Sequence, residues 1–164
     1  MKKSKAISWT ISLFLLVISI LFLYNKYRVA PVMVFKSLEL FDSGGLKANT
    51  DLFKGKKLIV CYYASWCGDC LRELKSLNEI KNTKLKDVEV ICITDETQEK
   101  LFAFQEKRKY PFHFYRIKKS FSDIGVYSIP VNYLINTKGQ TVFEKVGSID
   151  WKDNSNIQRV NILE

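Results

Sequence analysis

The feature that most constrains the fold is a pair of cysteines between an apolar segment and an amphipathic one. Residues 58–63 are consecutively apolar and are preceded by two lysines, which is typical of a β-strand buried on both faces. Cys67 and Cys70 follow, and leucines then recur at every third position from 71 to 77, with charged residues between them. This spacing predicts a strand, a tight turn and a helix whose first turn carries both cysteines.

The spacing of the two cysteines places their side chains side by side on the first helical turn, close enough for a disulfide or a shared metal ion. Cys67 stands at the mouth of the helix, where unpaired backbone N–H groups and the positive end of the helix dipole stabilise a thiolate. Because the thiolate is the form that attacks disulfides, Cys67 is predicted to be the nucleophile. Cys70, one turn further in, is predicted to resolve the mixed disulfide by attacking Cys67.

Metal binding is the main alternative use of a C-x-x-C motif. Zinc usually needs four ligands, and the remaining candidates are His113, in an apolar strand-like stretch, and two cysteines that stand singly in apolar segments, Cys61 and Cys92. The strand–helix context favours redox work, so we expect no metal and no cofactor besides the redox-active Cys67–Cys70 disulfide. A structural zinc site, transient copper(I) handling and a purely structural disulfide are the minor alternatives.

The N-terminal residues predict a membrane anchor. Residues 6–24 contain no charge, and a helix of this length spans about 28 Å, close to the hydrocarbon thickness of a bilayer. Trp9 and Tyr24 lie near its ends, as interfacial aromatic residues do. Bulky and charged residues follow the run where a signal peptidase requires small ones, so retention is favoured over cleavage.

Charge supports the same interpretation. Five of the 26 Lys and Arg residues flank the apolar run. Much of the net charge of +9 is therefore explained by membrane topology, and it does not indicate a nucleic-acid partner. The distribution favours an N-terminus inside and the bulk of the chain outside. We therefore expect an anchor over residues 1–28 and one globular domain over residues 29–164.

Alternating strand and helix patterns followed by a hairpin predict an α/β fold with a mixed central sheet flanked by helices. The predicted elements after the cysteines are a strand at 88–93, a helix at 96–108, a strand at 112–115, a short helix at 121–126, and a hairpin of 131–135 with 141–143.

Several segments resemble the thioredoxin superfamily. Residues 58–70 look like its active-site strand and turn, and 125–139 look like its cis-proline strand and following hairpin. The lead-in at 52–56, the insertion at 95–111 and the anchor are similar to the TlpA/ResA-type membrane-anchored thiol–disulfide oxidoreductases. The resemblance covers roughly residues 30–148 and implies a thioredoxin fold.

The resemblance also implies roles for residues near the cysteines. Pro130 would be the cis-proline, although a proline before a strand is usually trans. The backbone of Ile129 would pair with the substrate chain, and Trp66 would shape the rim of the site.

The implied activity is reduction of disulfides in exported proteins, including cytochrome c precursors. The implied setting is a single-pass protein of the bacterial cytoplasmic membrane, held in the lipid by its N-terminal helix, with the domain facing the periplasm or the cell exterior. An integral-membrane electron donor of the CcdA or DsbD type would recharge it. The alternatives are a disulfide oxidase or isomerase of the same fold and a non-enzymatic copper-handling module. A peroxidase is disfavoured because Ala64 stands where those enzymes have Thr.

Three further residues are candidate modulators. Asp69 would disfavour the Cys67 thiolate if it pointed inward, although a solvent-facing side chain would have little effect. Glu73 could serve Cys70 as an acid–base group, but a glutamate on a surface helix is usually only solvated. The resemblance implies that Cys61 lies beneath the second cysteine, and with Cys92 it is either a core residue or half of an auxiliary thiol pair.

Overall fold

The computed structural model describes residues 2–26 and 30–163. Helix α1 spans Lys2–Lys26, and within it side chains are described for residues 9–23. The predicted span 6–24 therefore extends beyond the described side chains, and the predicted boundary at 28/29 lies outside the described residues. Within the part of the chain that is described, the structure contains no helix long and apolar enough to cross a membrane.

A five-stranded mixed sheet forms the centre of the domain. Its strand order is β3-β2-β1-β4-β5. The parallel pairs are β1 with β2 and β2 with β3, and the antiparallel pairs are β1 with β4 and β4 with β5. The strands are β1 (Lys57–Tyr62), β2 (Val88–Thr94), β3 (His113–Arg116), β4 (Val131–Ile135) and β5 (Thr141–Val146).

Two apolar layers cover the sheet, as the α/β prediction requires. On one face pack α2 (Gly68–Lys84), α3 (Gln98–Arg108) and α4 (Asn154–Asn161) together with Trp151. On the other face pack the segment that begins at Ala30, a 3-10 turn at Thr50–Phe53, and Phe121. The central strands β1 and β4 are buried on both faces, which explains why their sequences are mostly apolar.

Two helix boundaries differ from the predictions. The helix predicted from residue 96 begins at Gln98, because the Thr97 side chain accepts a hydrogen bond from the backbone N–H of Lys100 and caps it. The helix predicted at 121–126 is a short 3-10 turn at Ser122–Ile124, which ends at Gly125 in the left-handed conformation.

The sheet pairing positions the functional site. Strand β1 ends at Tyr62, shortly before Cys67, and Tyr62 pairs with Val131, the first residue of β4. Because the two strands are antiparallel, the end of β1 lies beside the start of β4. The loop that carries the cysteines therefore meets the loop that contains Pro130.

Candidate active site

Cys67 and Cys70 are joined by a disulfide at the N-terminus of α2, with their Cα atoms 5.3 Å apart. Cys67 is the N-cap residue, and its Sγ accepts a hydrogen bond from the backbone N–H of Cys70 at 3.2 Å. Cys67 is 7% exposed and Cys70 is 0% exposed. An incoming thiol or disulfide can therefore reach only the Cys67 sulfur, which also receives the favourable field of the helix N-terminus.

The loop before β4 forms the opposite wall of the site. The Ile129–Pro130 peptide bond is cis, and the Ile129 carbonyl oxygen lies 3.9 Å from Cys67 Sγ. Trp66 is 73% exposed directly before the disulfide. The structure thus brings Trp66, Ile129 and Pro130 to the rim around Cys67, and their roles toward a substrate stay predictions.

Asp69 turns away from the disulfide. Its side chain is 57% exposed and forms an ion pair with the Arg72 guanidinium in the next helical turn. An exposed, paired carboxylate has little electrostatic influence on the adjacent cysteine. Of the two orientations considered for Asp69, the structure has the solvent-facing one.

Glu73 is not solvated, so the usual expectation for a helix glutamate is wrong here. Its side chain is only 2% exposed because position 73 lies on the face of α2 that packs on the sheet, one turn beyond Cys70. Its carboxyl accepts hydrogen bonds from Trp151 Nε1 at 2.9 Å and from Asn132 Nδ2 at 3.2 Å. Burial raises the pKa of Glu73 to about 7, against the opposing effect of these hydrogen bonds. A carboxyl with this pKa can exchange a proton near neutral pH.

The sequence reasoning missed Asn132 and Trp151, which hold Glu73 in place. Asn132 is a fully buried polar residue within the otherwise apolar β4, and that interruption was an available signal. Trp151 lies after β5 outside any regular element, and no pattern in the sequence marks it.

Glu96 is a second carboxylate with a largely buried side chain, and the sequence did not single it out. Its side chain is 7% exposed and accepts hydrogen bonds from the backbone N–H of Ser65 at 2.6 Å and from Ser65 Oγ at 2.8 Å. These charge-assisted bonds fix the loop that leads into Cys67.

Cys61 and Cys92 are free thiols, completely buried and directly opposite each other on β1 and β2. Burial is the main cause that raises the pKa of each thiol, and the negative charge of Glu73 raises both further. Both are therefore protonated at neutral pH. Within residues 2–26 and 30–163, no three or more His, Cys, Asp and Glu side chains are grouped so that they could hold a metal ion.

A C-x-x-C disulfide at the N-terminus of the helix after a central strand, facing a cis-proline loop, defines the class of thiol–disulfide oxidoreductases with a thioredoxin fold. The Redoxin family model matches residues 30–160, and the chain belongs to this family.

Named relatives agree with this assignment. The thiol-disulfide oxidoreductase ResA of Bacillus thuringiensis (strain Al Hakam) is 31% identical over 124 residues, which cover 73% of this chain and 69% of that protein. The thiol:disulfide interchange protein DsbE of Tatumella citrea is 28% identical, with 75% and 69% covered. The crystal structure of StoA from Bacillus subtilis is 20% identical and superposes with a TM-score of 0.57 over 74% of this chain and 95% of that one. The predicted resemblance to TlpA/ResA-type proteins is confirmed, and the protein is a thiol–disulfide oxidoreductase of this type.

Proposed function

We propose that this protein is a membrane-anchored reductase of disulfides in exported proteins, displayed outside the bacterial cytoplasmic membrane. The observation that carries the direction of the reaction is the buried carboxyl of Glu73, one helical turn beyond Cys70. Negative charge near a dithiol disfavours its thiolates. A less stabilised thiolate makes the dithiol the better electron donor, which suits a reductase.

The catalytic cycle uses Cys67 and Cys70 in turn and requires no cofactor beyond their disulfide. In the reduced protein the Cys67 thiolate attacks a substrate disulfide, forms a mixed disulfide and releases one substrate thiolate. Cys70 then loses its proton to the Glu73 carboxylate and attacks Cys67 Sγ. The second substrate thiol leaves, and the Cys67–Cys70 disulfide is restored.

The residues at the rim of the site, Trp66, Ile129 and Pro130, position the substrate. The backbone at Ile129, next to Pro130, hydrogen-bonds an extended substrate segment beside Cys67, and Trp66 offers an exposed aromatic face to it. The proximity of the Ile129 carbonyl to Cys67 Sγ, 3.9 Å, supports this assignment.

The anchor is the N-terminal helix. Residues 6–24 are free of charge, and the large apolar side chains described between Trp9 and Leu23 are exposed, so the helix offers an exposed apolar surface. We place residues 1–28 in and beside the membrane lipid and the domain of residues 29–164 outside. The electron donor would be an integral-membrane protein of the CcdA or DsbD type, and cytochrome c precursors are candidate substrates.

Trapping of the mixed disulfide tests the proposal. In a Cys70→Ser variant Cys67 can attack a substrate but cannot be released, so covalent adducts should accumulate in cells. Affinity purification and mass spectrometry under non-reducing conditions would then identify exported proteins bound through Cys67.

The matched control is the double variant Cys67→Ser/Cys70→Ser, which should carry no adduct. Adducts that persist in the double variant, or their absence in the Cys70→Ser variant, would contradict the proposal. A reduction potential near the roughly −120 mV of DsbA, instead of one near the roughly −270 mV of thioredoxin, would favour the disulfide oxidase alternative.

A further inference from the structure

Three side chains form a row across the centre of the sheet, beneath α2. Cys92 on β2 pairs in register with Cys61 on β1, and Cys61 pairs in register with Asn132 on β4. Register neighbours in a pleated sheet point to the same face. Both thiols belong to the same buried cluster as Cys67 and Cys70, so the row lies on the active-site face of the sheet.

Glu73 connects this row to the active-site disulfide. It lies one helical turn beyond Cys70, and its carboxyl accepts a hydrogen bond from Asn132, the neighbour of Cys61. Its charge also acts on both buried thiols. One carboxyl therefore lies on the same helix as the inner active-site cysteine, one turn away, and is hydrogen-bonded to the row.

Neither thiol of the row has access to solvent. An external oxidant or disulfide cannot reach them. Of the two active-site sulfurs in the same buried cluster, Cys70 is the one that is fully buried. Any redox chemistry of this pair therefore has to pass through Cys70.

We propose that Cys61 and Cys92 form a second, internal redox couple that exchanges with the Cys67–Cys70 disulfide. Adjacent strands lie about 4.8 Å apart, and disulfides form between Cα atoms about 4.4–6.8 Å apart. A bond between these two register neighbours is thus compatible with the sheet. The proposal rests on the redox activity of Cys67 and Cys70, whichever direction that activity takes.

The exchange needs no outside oxidant. The Cys61 thiol gives its proton to the Glu73 carboxylate, and Cys61 Sγ attacks Cys70 Sγ. The Cys67–Cys70 bond breaks, and Cys67 leaves as a thiolate that takes up a proton. Cys92 Sγ then attacks Cys61 Sγ, its proton passes to the departing Cys70 sulfur, and the Cys61–Cys92 bond forms. Two thiols are oxidised and two sulfurs are reduced.

The consequence is a doubled electron capacity. A fully reduced chain would carry four electrons and could reduce two substrate disulfides in succession. After the first substrate disulfide is reduced, the Cys67–Cys70 disulfide is exchanged for a Cys61–Cys92 disulfide. The Cys67–Cys70 dithiol is then restored and can reduce a second substrate.

Thiol counting on the wild-type full-length chain tests this proposal. The folded protein is equilibrated in a series of increasingly oxidising glutathione buffers, quenched in acid, denatured and alkylated, and its mass then gives the number of free thiols. We expect four free thiols at the reducing end and none at the oxidising end, with a peptide that links Cys61 to Cys92. A count that never falls below two, with Cys61 and Cys92 alkylated throughout, would overturn the proposal.

A Cys92→Ala variant tests the pathway. Without Cys92 the exchange should stop at a Cys61–Cys70 mixed disulfide, with Cys67 free for alkylation. Val90→Ala is the matched control, because it also truncates a buried side chain of β2 in the same cluster but leaves both thiols in place. If Cys92→Ala fails to fold, the thiol count of the wild-type chain still shows whether the internal couple forms.

A parallel assay of insulin disulfide reduction separates the two proposals. An active protein that forms a single disulfide contradicts the internal couple alone. A protein that reduces no disulfide at all contradicts the proposed reductase function.

Discussion

At the scale of single residues, the buried carboxyl of Glu73 affects both the stability of the fold and the proposed chemistry of the disulfide. Its ordinary pKa is 4.5, and burial raises the pKa to about 7 in the folded protein. Below pH 4.5 the carboxyl is neutral in both the folded and the unfolded chain, so it carries no penalty. Between pH 4.5 and pH 7 the unfolded chain loses this proton while the folded chain keeps it, so stability falls across that window and levels off above pH 7.

A Glu73→Gln variant should remove this pH dependence. The pKa difference corresponds to about 3 kcal/mol, so wild-type stability relative to Glu73→Gln should fall by about that amount between pH 4.5 and pH 8. Chemical denaturation of the oxidised proteins across this pH range measures it. Glu79→Gln, at an exposed position on the same helix, should follow the wild-type curve. If the stability difference between wild type and Glu73→Gln does not change with pH, the prediction is wrong.

At the scale of elements, the end of α3 shows how one backbone conformation closes a helix next to the active-site face. Lys109 is the C-cap with φ of 51°, in the left-handed region, and its N–H donates to the Gln105 carbonyl oxygen. Within the described residues it is the single non-glycine residue with a positive φ. A side chain at such a position costs conformational energy that glycine avoids.

Glycine and alanine should therefore rank oppositely at two nearby positions. Lys109→Gly should be more stable than Lys109→Ala by about 1 kcal/mol, because both lose the charge and only alanine keeps the strained Cβ. At Lys107, inside the helix, the alanine variant should be the more stable by a similar amount. Thermal unfolding of the four variants measures this, and the same ranking at both positions would refute the assignment of the cap.

The elements also show what the sequence could and could not predict. The order of strands and helices and the placement of Cys67 and Cys70 follow from local periodicity and spacing. Burial of Glu73 depends on Asn132 and Trp151, which lie 59 and 78 residues further along the chain. Such contacts exist only after the sheet has formed, so local patterns did not reveal them. The start of α3 was misplaced because Glu96 and Thr97 are both polar residues at a helix entrance, and only the structure shows that Thr97 is the cap.

At the scale of the whole molecule, the proposed anchor predicts how the protein fractionates. Replacing Leu16 and Ile18 with Arg should release the chain from membranes, because a charge at the centre of a membrane helix costs about 2.5–3.5 kcal/mol. Alkaline carbonate extraction followed by immunoblotting measures the released fraction.

Leu16→Ala and Ile18→Ala, introduced together, are the control, because they shorten the same side chains without adding charge. The alanine variant should remain in the membrane pellet. Wild-type protein recovered mainly in the carbonate supernatant would refute the anchor.

The pairing of β1 with β4 has a consequence for a chain that is still being made. A nascent polypeptide that has emerged as far as α2 already contains Cys67 and Cys70, but the wall that holds Ile129 is about sixty residues away and not yet synthesised. The two halves of the site meet only when β4 pairs with β1. Disulfide exchange at the complete site therefore requires the pairing of β4 with β1. A nascent chain that lacks β4 has the cysteines but not the substrate-binding loop.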